Sequence, residues 1–160
     1  MTKVLDRLYV GSKADCFHSR PGWALVHACK HPCHVNAVGY KSSLPKNHPS
    51  YLSLEREANL YLNIVDPDIP LFMSQTFVDF MTFAQKHYNE GKNLLIHCNH
   101  SESRAPSLAL LFMAKDLLVI PDRSYKEARK EFQISYPAYM PGLGIARYFA
   151  DNWDSLGKGA

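Results

Sequence analysis

One short segment past the middle of the chain constrains the fold more than any other. The run Asn93–His97 is short and apolar, which is typical of a β-strand buried on both faces. A few residues later the strongly apolar stretch Ala105–Leu118 begins, with Leu108, Leu111 and Phe112 at helical spacing. A buried strand, a tight loop and a helix in direct succession indicate an α/β arrangement built on parallel strands.

Other segments extend this alternation along the chain. Three further apolar runs, each ended by turn-forming residues, are strand candidates: Leu8–Val10, Ala24–Cys29 and Leu60–Val65. Three further helices are expected: one from Ser74, one from the capping box Ser124–Glu127, and one over about Gly144–Trp153. We therefore predict a single α/β domain over residues 1–160. Its central, mostly parallel sheet should have four or five strands, with helices on both faces.

Composition narrows the class of protein. The 160 residues are 46% hydrophobic and 21% charged, which is normal for a globular domain large enough to bury a core. The net charge of +3 favours an anionic substrate but gives no strong signal for nucleic-acid binding. No apolar run reaches the ~18 residues of a membrane span, and the N-terminus lacks the apolar run of a signal peptide. We expect a cytoplasmic protein.

The loop Cys98–Arg104 carries the candidate chemistry. Between a buried strand and a helix N-terminus, its backbone N–H groups should turn inward and form a nest for a tetrahedral anion. Cys98 begins the loop, where these dipoles and Arg104 favour the thiolate form of its side chain. The planar guanidinium of Arg104 can bind two phosphate oxygens at once. A nucleophile and an oxyanion clamp therefore share one short loop.

These residues resemble a known signature. His97 and Cys98, followed after five residues by Arg104, match the His-Cys-x5-Arg motif of cysteine-dependent protein tyrosine phosphatases. The chain is most similar to the dual-specificity branch of that superfamily. The similar segments are the opening strand and turn Asp6–Ser12, the general-acid segment Tyr61–Asp68, the helix start Ala105–Leu108 and the closing helix Tyr139–Trp153.

The resemblance implies the family's fold and mechanism. Cys98 would attack phosphorus and form a phosphocysteine. The backbone of the loop, namely Asn99, His100, Ser101, Glu102, Ser103 and Arg104, would hold the phosphate oxygens, and His97 would support the loop. An aspartate would protonate the leaving oxygen and later activate water.

Two aspartates compete for that role. The family's acid is the eighth residue from the start of the strand at Tyr61, which is Asp68, and Asp66 is the alternative. The residue that is not the acid would form a turn or a cap.

The sequence also departs from the family at two positions. The family commonly has glycine where Ser101 stands, so a left-handed backbone there would be strained. It usually has serine or threonine directly after the arginine, where this chain has Ala105. That hydroxyl helps the thiolate leave, so we expect slow hydrolysis of the phosphocysteine unless Ser101 or Ser103 compensates.

A second group of reactive side chains lies in His27–His34, which contains Cys29 and Cys33. These are zinc-ligand types, but a structural zinc site usually takes its ligands from two separated pairs. The sequence shows no second pair with Cys-x2-Cys or His-x3-His spacing. From the sequence we therefore expect no metal and no cofactor.

The expected function is hydrolysis of phosphotyrosine, and also phosphoserine or phosphothreonine, in a phosphorylated protein. Two alternatives stay open. The same chemistry could act on another phosphomonoester, such as a phosphoinositide, an inositol phosphate or an RNA 5′-phosphate. The chain could instead be a non-catalytic phospho-binding module, because of Ser101 and Ala105.

Overall fold

The apolar runs become the central strands of a six-stranded mixed sheet in the computed structural model, which describes residues 1–158. The strand order is β1-β2-β6-β3-β5-β4. The strands are β1 (Thr2–Leu5), β2 (Leu8–Gly11), β3 (Trp23–His27), β4 (Ser53–Arg56), β5 (Asn59–Leu62) and β6 (Asn93–His97). The four central strands are parallel, and β1 and β4 pair antiparallel at the two edges.

The predicted α/β class is confirmed, but the predicted count of four or five strands is too low. The two strands that the sequence did not reveal are the edges β1 and β4. Both are four residues long and carry exposed side chains. Edge strands of this kind lack the continuous apolar run by which a central strand is recognised. The last two residues of the predicted domain, 159–160, lie outside the described residues.

Among residues 1–158, five α-helices accompany the sheet: α1 (Val35–Val38), α2 (Ser74–Asn89), α3 (Arg104–Lys115), α4 (Tyr125–Ser135) and α5 (Leu143–Asn152). Two short helical turns, Lys13–Asp15 and Lys30–His34, precede α1. Ser124 caps α4, because its Oγ accepts a hydrogen bond from Glu127 N at 3.1 Å. No helix among residues 1–158 has the length and hydropathy that crossing a bilayer requires.

Helix α3 is central to the main core. Every residue from Ala105 to Ala114 is buried, and the helix packs on β2 and β6. Helices α2, α4 and α5 contribute the large aromatic side chains of the same core, including Phe77, Phe132 and Phe149. The position of α3 fixes the direction in which the chain leaves β6, and hence the path of the loop between them.

The two faces of the sheet differ at the C-terminal end of β6. Leu94, Ile96 and Cys98 belong to the main core on the helical face. The side chain of His97 lies on the other face, where the helical turn Lys30–His34 covers a small cluster. Because successive side chains of a strand point to opposite faces, the side chains of His97 and Cys98 lie in two different environments.

Candidate active site

The loop after β6 presents its carbonyl oxygens to the surrounding protein. Those of Asn99, Ser101 and Glu102 accept hydrogen bonds from Lys13 N at 3.4 Å, Tyr136 Oη at 2.7 Å and Met140 N at 2.8 Å. None of the backbone N–H groups of residues 99–103 donates to an atom within residues 1–158. Helix α3 begins directly afterwards without a side-chain cap. Outward carbonyls and unused amides at a helix N-terminus are the arrangement that binds anions.

Cys98 lies at the start of this loop. Its side chain is 2% exposed, and its backbone N–H donates to Gly11 O at 3.3 Å. The hydrogen bond fixes the end of β6 to the end of β2. The backbone of Cys98 thus continues the sheet, and the loop with its free amides begins at the next residue.

Arg104 is the first residue of α3, and two contacts hold its side chain. Its Nη1 donates to Ile64 O at 3.1 Å, and its Nη2 donates to Asn99 Oδ1 at 2.9 Å. Arginine has five N–H donors, so these contacts leave donors for an oxyanion. The side chain thus joins the loop to the segment that follows β5, where both candidate acids lie.

Asp66 is attached to the loop through Ser103. Ser103 Oγ donates to Asp66 Oδ1 at 3.0 Å and accepts from Gly142 N at 2.8 Å. This chain of hydrogen bonds connects the acid segment, the loop and the start of α5. Gly142 lies so close to the Asp66 carboxylate that a Cβ at this position would collide with it.

Asp68 lies in the same segment with an exposed side chain. The segment rests on the start of α5, where Gly144 N donates to Pro67 O at 3.2 Å. A Cβ on Gly144 would collide with the carbonyl oxygens of Pro67 and Ile69, so glycine is required for this approach. The segment is therefore fixed on both sides of Pro67, while the Asp68 carboxylate is left in contact with solvent.

The two departures seen in the sequence have structural consequences. Ser101 has φ of +59°, a left-handed conformation that favours glycine. Ala105 is fully buried, so the position after Arg104 has neither a hydroxyl nor open space. The hydroxyl of Ser103 is engaged by Asp66 and Gly142.

Two titratable groups against the loop have shifted pKa values. Burial raises the pKa of Tyr136, which consequently remains a hydrogen-bond donor to Ser101 O across the neutral range. Burial opposes the charged form of His97, but hydrogen bonding and charge from the Cys16 and Cys29 sulfurs raise its pKa overall.

Exposed apolar side chains lie on the segments that contact the loop and the candidate acids. Met140 adjoins Glu102, Val65 follows the carbonyl that binds Arg104, and Ile69 and Leu143 lie where the acid segment meets α5. Their exposed fractions are 70%, 46%, 56% and 71%. The segments next to the Cys98–Arg104 loop thus carry exposed apolar side chains on the side of the candidate acids.

Hydrogen bonds attach Arg104 to Asn99 and Asp66 to Ser103, on the loop that begins at Cys98. Asp68 follows Asp66 by two residues. Sequence reasoning did not identify Gly142 or Tyr136, which restrain the loop from a distance in sequence. The two glycines at 142 and 144, at the start of a helix, were the available signal for a close backbone approach.

Comparison with solved structures defines the class of fold. Human DUSP28 superposes with a TM-score of 0.66 at 14% identity, covering 97% of this chain and 96% of that chain. The phosphatase domain of Yvh1 from Chaetomium thermophilum gives 0.61 at 14% identity, covering 96% and 95%. No family model and no curated protein matches the sequence.

The chain therefore has the fold of dual-specificity phosphatases. The human tyrosine phosphatase-like serine/threonine/tyrosine-interacting protein also has this fold, with a TM-score of 0.64 at 15% identity over 97% of this chain and 95% of that chain.

Proposed function

We propose that this protein is a cysteine-dependent phosphatase that transfers a phosphoryl group to Cys98. The observation that carries the proposal is the loop itself, with unused amides between Cys98 and the uncapped start of α3. These amides and Arg104 bind the three non-bridging oxygens of a phosphomonoester. They stabilise the charge on those oxygens in the transition state.

In the first step the Cys98 thiolate attacks phosphorus in line, and the bond to the leaving oxygen breaks. Asp68 donates a proton to that oxygen. Its exposed carboxyl group is the one in this segment that is not engaged by Ser103. Asp66 positions the segment through its hydrogen bond to Ser103. In the second step Asp68 accepts a proton from water, which attacks phosphorus and releases phosphate and the Cys98 thiolate.

The second step is the slow one in this proposal. Ala105 cannot donate a hydrogen bond to the departing thiolate, and the Ser103 hydroxyl already donates to Asp66. With this donor absent, less of the charge that develops on sulfur is stabilised. We expect the phosphocysteine to accumulate.

The substrate favoured by the site is an aryl phosphate in a protein, namely phosphotyrosine. The exposed apolar rim of Val65, Ile69, Met140 and Leu143 suits an aromatic ring and apolar neighbours. A phosphoinositide, inositol phosphate or RNA 5′-phosphate carries further charge. The loop from Cys98 to Arg104 contains no lysine to meet that charge and contains one acidic residue, Glu102.

The second candidate is a non-catalytic phospho-binding module. Its support is the left-handed Ser101 and the missing hydroxyl at Ala105. One structure with this fold is named a phosphatase-like interacting protein, so the fold by itself does not establish turnover.

The test is hydrolysis of p-nitrophenyl phosphate by the wild type and by Cys98→Ser, Asp68→Asn and Asp66→Asn, across pH 5 to 8. Asp66→Asn is a matched control, because it makes the same change of charge and keeps an oxygen that accepts from Ser103. We expect no turnover with Cys98→Ser. We expect Asp68→Asn to lower kcat by about 100-fold and to remove the pH dependence due to the acid. Asp66→Asn should change kcat by less than about tenfold.

Rapid mixing should show a burst of p-nitrophenol close to one equivalent per Cys98. A larger effect of Asp66→Asn than of Asp68→Asn would exchange their roles. A wild type that binds phosphotyrosine peptide but does not turn over would establish the binding module instead. A panel of phosphopeptides, phosphoinositides and RNA 5′-phosphates then separates the substrates.

A further inference from the structure

On the face of the sheet opposite to Cys98, four metal-ligating side chains converge from separate parts of the chain. They are Cys16, after the first helical turn, His27, at the end of β3, Cys33, in the turn before α1, and His97, at the end of β6. One ligand atom from each lies within 4.8 Å of all the others. The two histidines are fully buried, and Cys33 is 7% exposed. The proposed phosphoryl transfer uses none of these side chains as a reacting group.

We propose that these four residues form a structural zinc site. Two thiolates and two neutral imidazoles are the donor set of many closed, four-coordinate zinc sites. Two thiolates also neutralise the charge of Zn²⁺, so that the complete site can be buried without an uncompensated charge. The borderline-soft donor set and the four-fold arrangement favour Zn²⁺ over Mg²⁺ or Ca²⁺, which take oxygen ligands.

Two of the distances between donor atoms are close to those of a tetrahedron around a single ion, and a third is shorter. Zinc–ligand bonds of the usual lengths place sulfur and nitrogen about 3.5 Å apart and two nitrogens about 3.3 Å apart. Cys16 Sγ lies 3.5 Å from His27 Nδ1, and Cys33 Sγ lies 3.9 Å from His97 Nε2. His27 Nδ1 and His97 Nε2 are 2.8 Å apart, the length of a hydrogen bond between the two rings. A small separation of these rings completes the tetrahedron.

The neighbour of His27 selects the tautomer that a metal requires. Asn59 Nδ2 donates to His18 O at 2.7 Å, which turns Asn59 Oδ1 towards His27 Nε2 at 2.9 Å. Since Oδ1 can only accept, His27 carries its proton on Nε2 and directs an unprotonated Nδ1 at the cluster. Such a hydrogen bond from the outer nitrogen is the usual support of a zinc-bound histidine. The Tyr61 ring, stacked 4.4 Å from His27, holds the same orientation.

A cavity gives an ion access to the site. It has a volume of about 500 Å³ and is lined by Cys16 and Cys33 together with His18, Asn59 and Tyr61. When Zn²⁺ enters, Cys16 and Cys33 bind it as thiolates and lose their protons to solvent. The proton that His97 Nε2 donates to His27 Nδ1 moves to His97 Nδ1, and two metal–nitrogen bonds replace that hydrogen bond. The ion joins β3, β6 and both helical turns, and His97 is directly followed by Cys98. Zinc therefore stabilises the base of the phosphate-binding loop from behind.

The proposed zinc site departs from the expectation, made from the sequence, that no metal is bound. Cys33 was recognised as a potential ligand in the sequence, but its partners come from positions 16, 27 and 97. No local motif connects these positions. The register between β3 and β6, which pairs His27 with His97, creates half of the site.

The first experiment measures zinc by mass spectrometry in reduced protein dialysed against metal-free buffer. We expect one zinc per chain in the wild type. We expect at least a 100-fold loss of zinc affinity in Cys33→Ser. Two matched controls, Cys29→Ser and Cys98→Ser, should keep one zinc per chain, because Cys29 is a buried neighbour outside the set and Cys98 faces the other side of the sheet.

A second measurement does not depend on the folding of any variant. Replacing zinc by Co²⁺ in the wild type should give the visible bands of tetrahedral cobalt together with thiolate-to-cobalt charge transfer. A chelator should lower the Tm of the wild type. The proposal is wrong if the reduced wild type binds neither ion. It is also wrong if the metal is lost with Cys98→Ser and kept with Cys33→Ser, or if Cys16 and Cys33 are recovered as a disulfide that excludes zinc.

Discussion

Replacing Ser101 by glycine should stabilise the protein. Ser101 has φ of +59°, and Tyr136 Oη holds its carbonyl oxygen in that conformation at 2.7 Å. A non-glycine residue in the left-handed region costs about 1–2 kcal/mol. Glycine removes that cost but gains freedom in the unfolded chain, which offsets about 0.5–1 kcal/mol. The free energy of unfolding of Ser101→Gly should therefore rise by about 0.5–1 kcal/mol.

Urea denaturation and a thermal melt measure this effect. For a domain of this size, the gain corresponds to an increase in Tm of about 1–4 °C. Ser101→Ala is the first control, because it removes the hydroxyl but keeps the Cβ, and it should leave the Tm nearly unchanged. His100→Gly is the second control. His100 does not have a positive φ, so glycine there should destabilise by about 0.5–1 kcal/mol.

Destabilisation of the protein by Ser101→Gly, as by His100→Gly, would contradict this prediction. That result would mean that the left-handed conformation carries no strain at this position. A gain seen equally with Ser101→Ala would assign the effect to the hydroxyl rather than to the backbone.

Two further predictions concern hydrogen bonds that only the folded chain can form. Ser103→Ala removes the hydrogen bonds by which Ser103 links Asp66 to Gly142. Because Gly142 N–H loses its partner, the free energy of unfolding measured in urea should fall by about 1–2 kcal/mol. An unchanged urea midpoint would contradict this prediction. Burial lowers the pKa of His34, whose Nε2–H donates to Ser50 O, so its folded pKa lies below its unfolded value. The stability due to neutral His34 is therefore fully present above about pH 6.5 and is lost as the pH falls through the folded pKa. Urea midpoints between pH 7 and pH 5 should fall less steeply for His34→Gln than for the wild type, and parallel curves would count against the assignment.

The parts of the fold that the sequence predicted well are those with a local cause. The strand Asn93–His97 has the predicted bounds, since a short apolar run before a tight loop can bury itself only as a central strand. Helix α4 begins after Ser124, whose Oγ accepts from Glu127 N as predicted. The other half of the predicted capping box does not form, because the Glu127 carboxylate pairs with Arg123. The edge strands Thr2–Leu5 and Ser53–Arg56 were missed because their pairing, and not their own pattern, makes them strands.

The candidate active loop Cys98–Arg104 could be identified from the sequence alone. Cys98 and Arg104 are separated by a fixed short distance along the chain, and a strand and a helix on either side leave the loop few conformations. The choice between Asp66 and Asp68 was open in the sequence. The proposal of Asp68 as the acid rests on the hydrogen bond from Ser103 to Asp66, which forms where α5 packs against the acid segment.

The cluster of Cys16, His27, Cys33 and His97 could be identified only from the tertiary structure. Those residues are up to eighty-one positions apart in the sequence, and their spacing follows no local period. The register of two parallel strands and the packing of a helical turn on the sheet bring their donor atoms together. A short loop is specified by its own residues, whereas a site assembled across strands exists only once the sheet has formed.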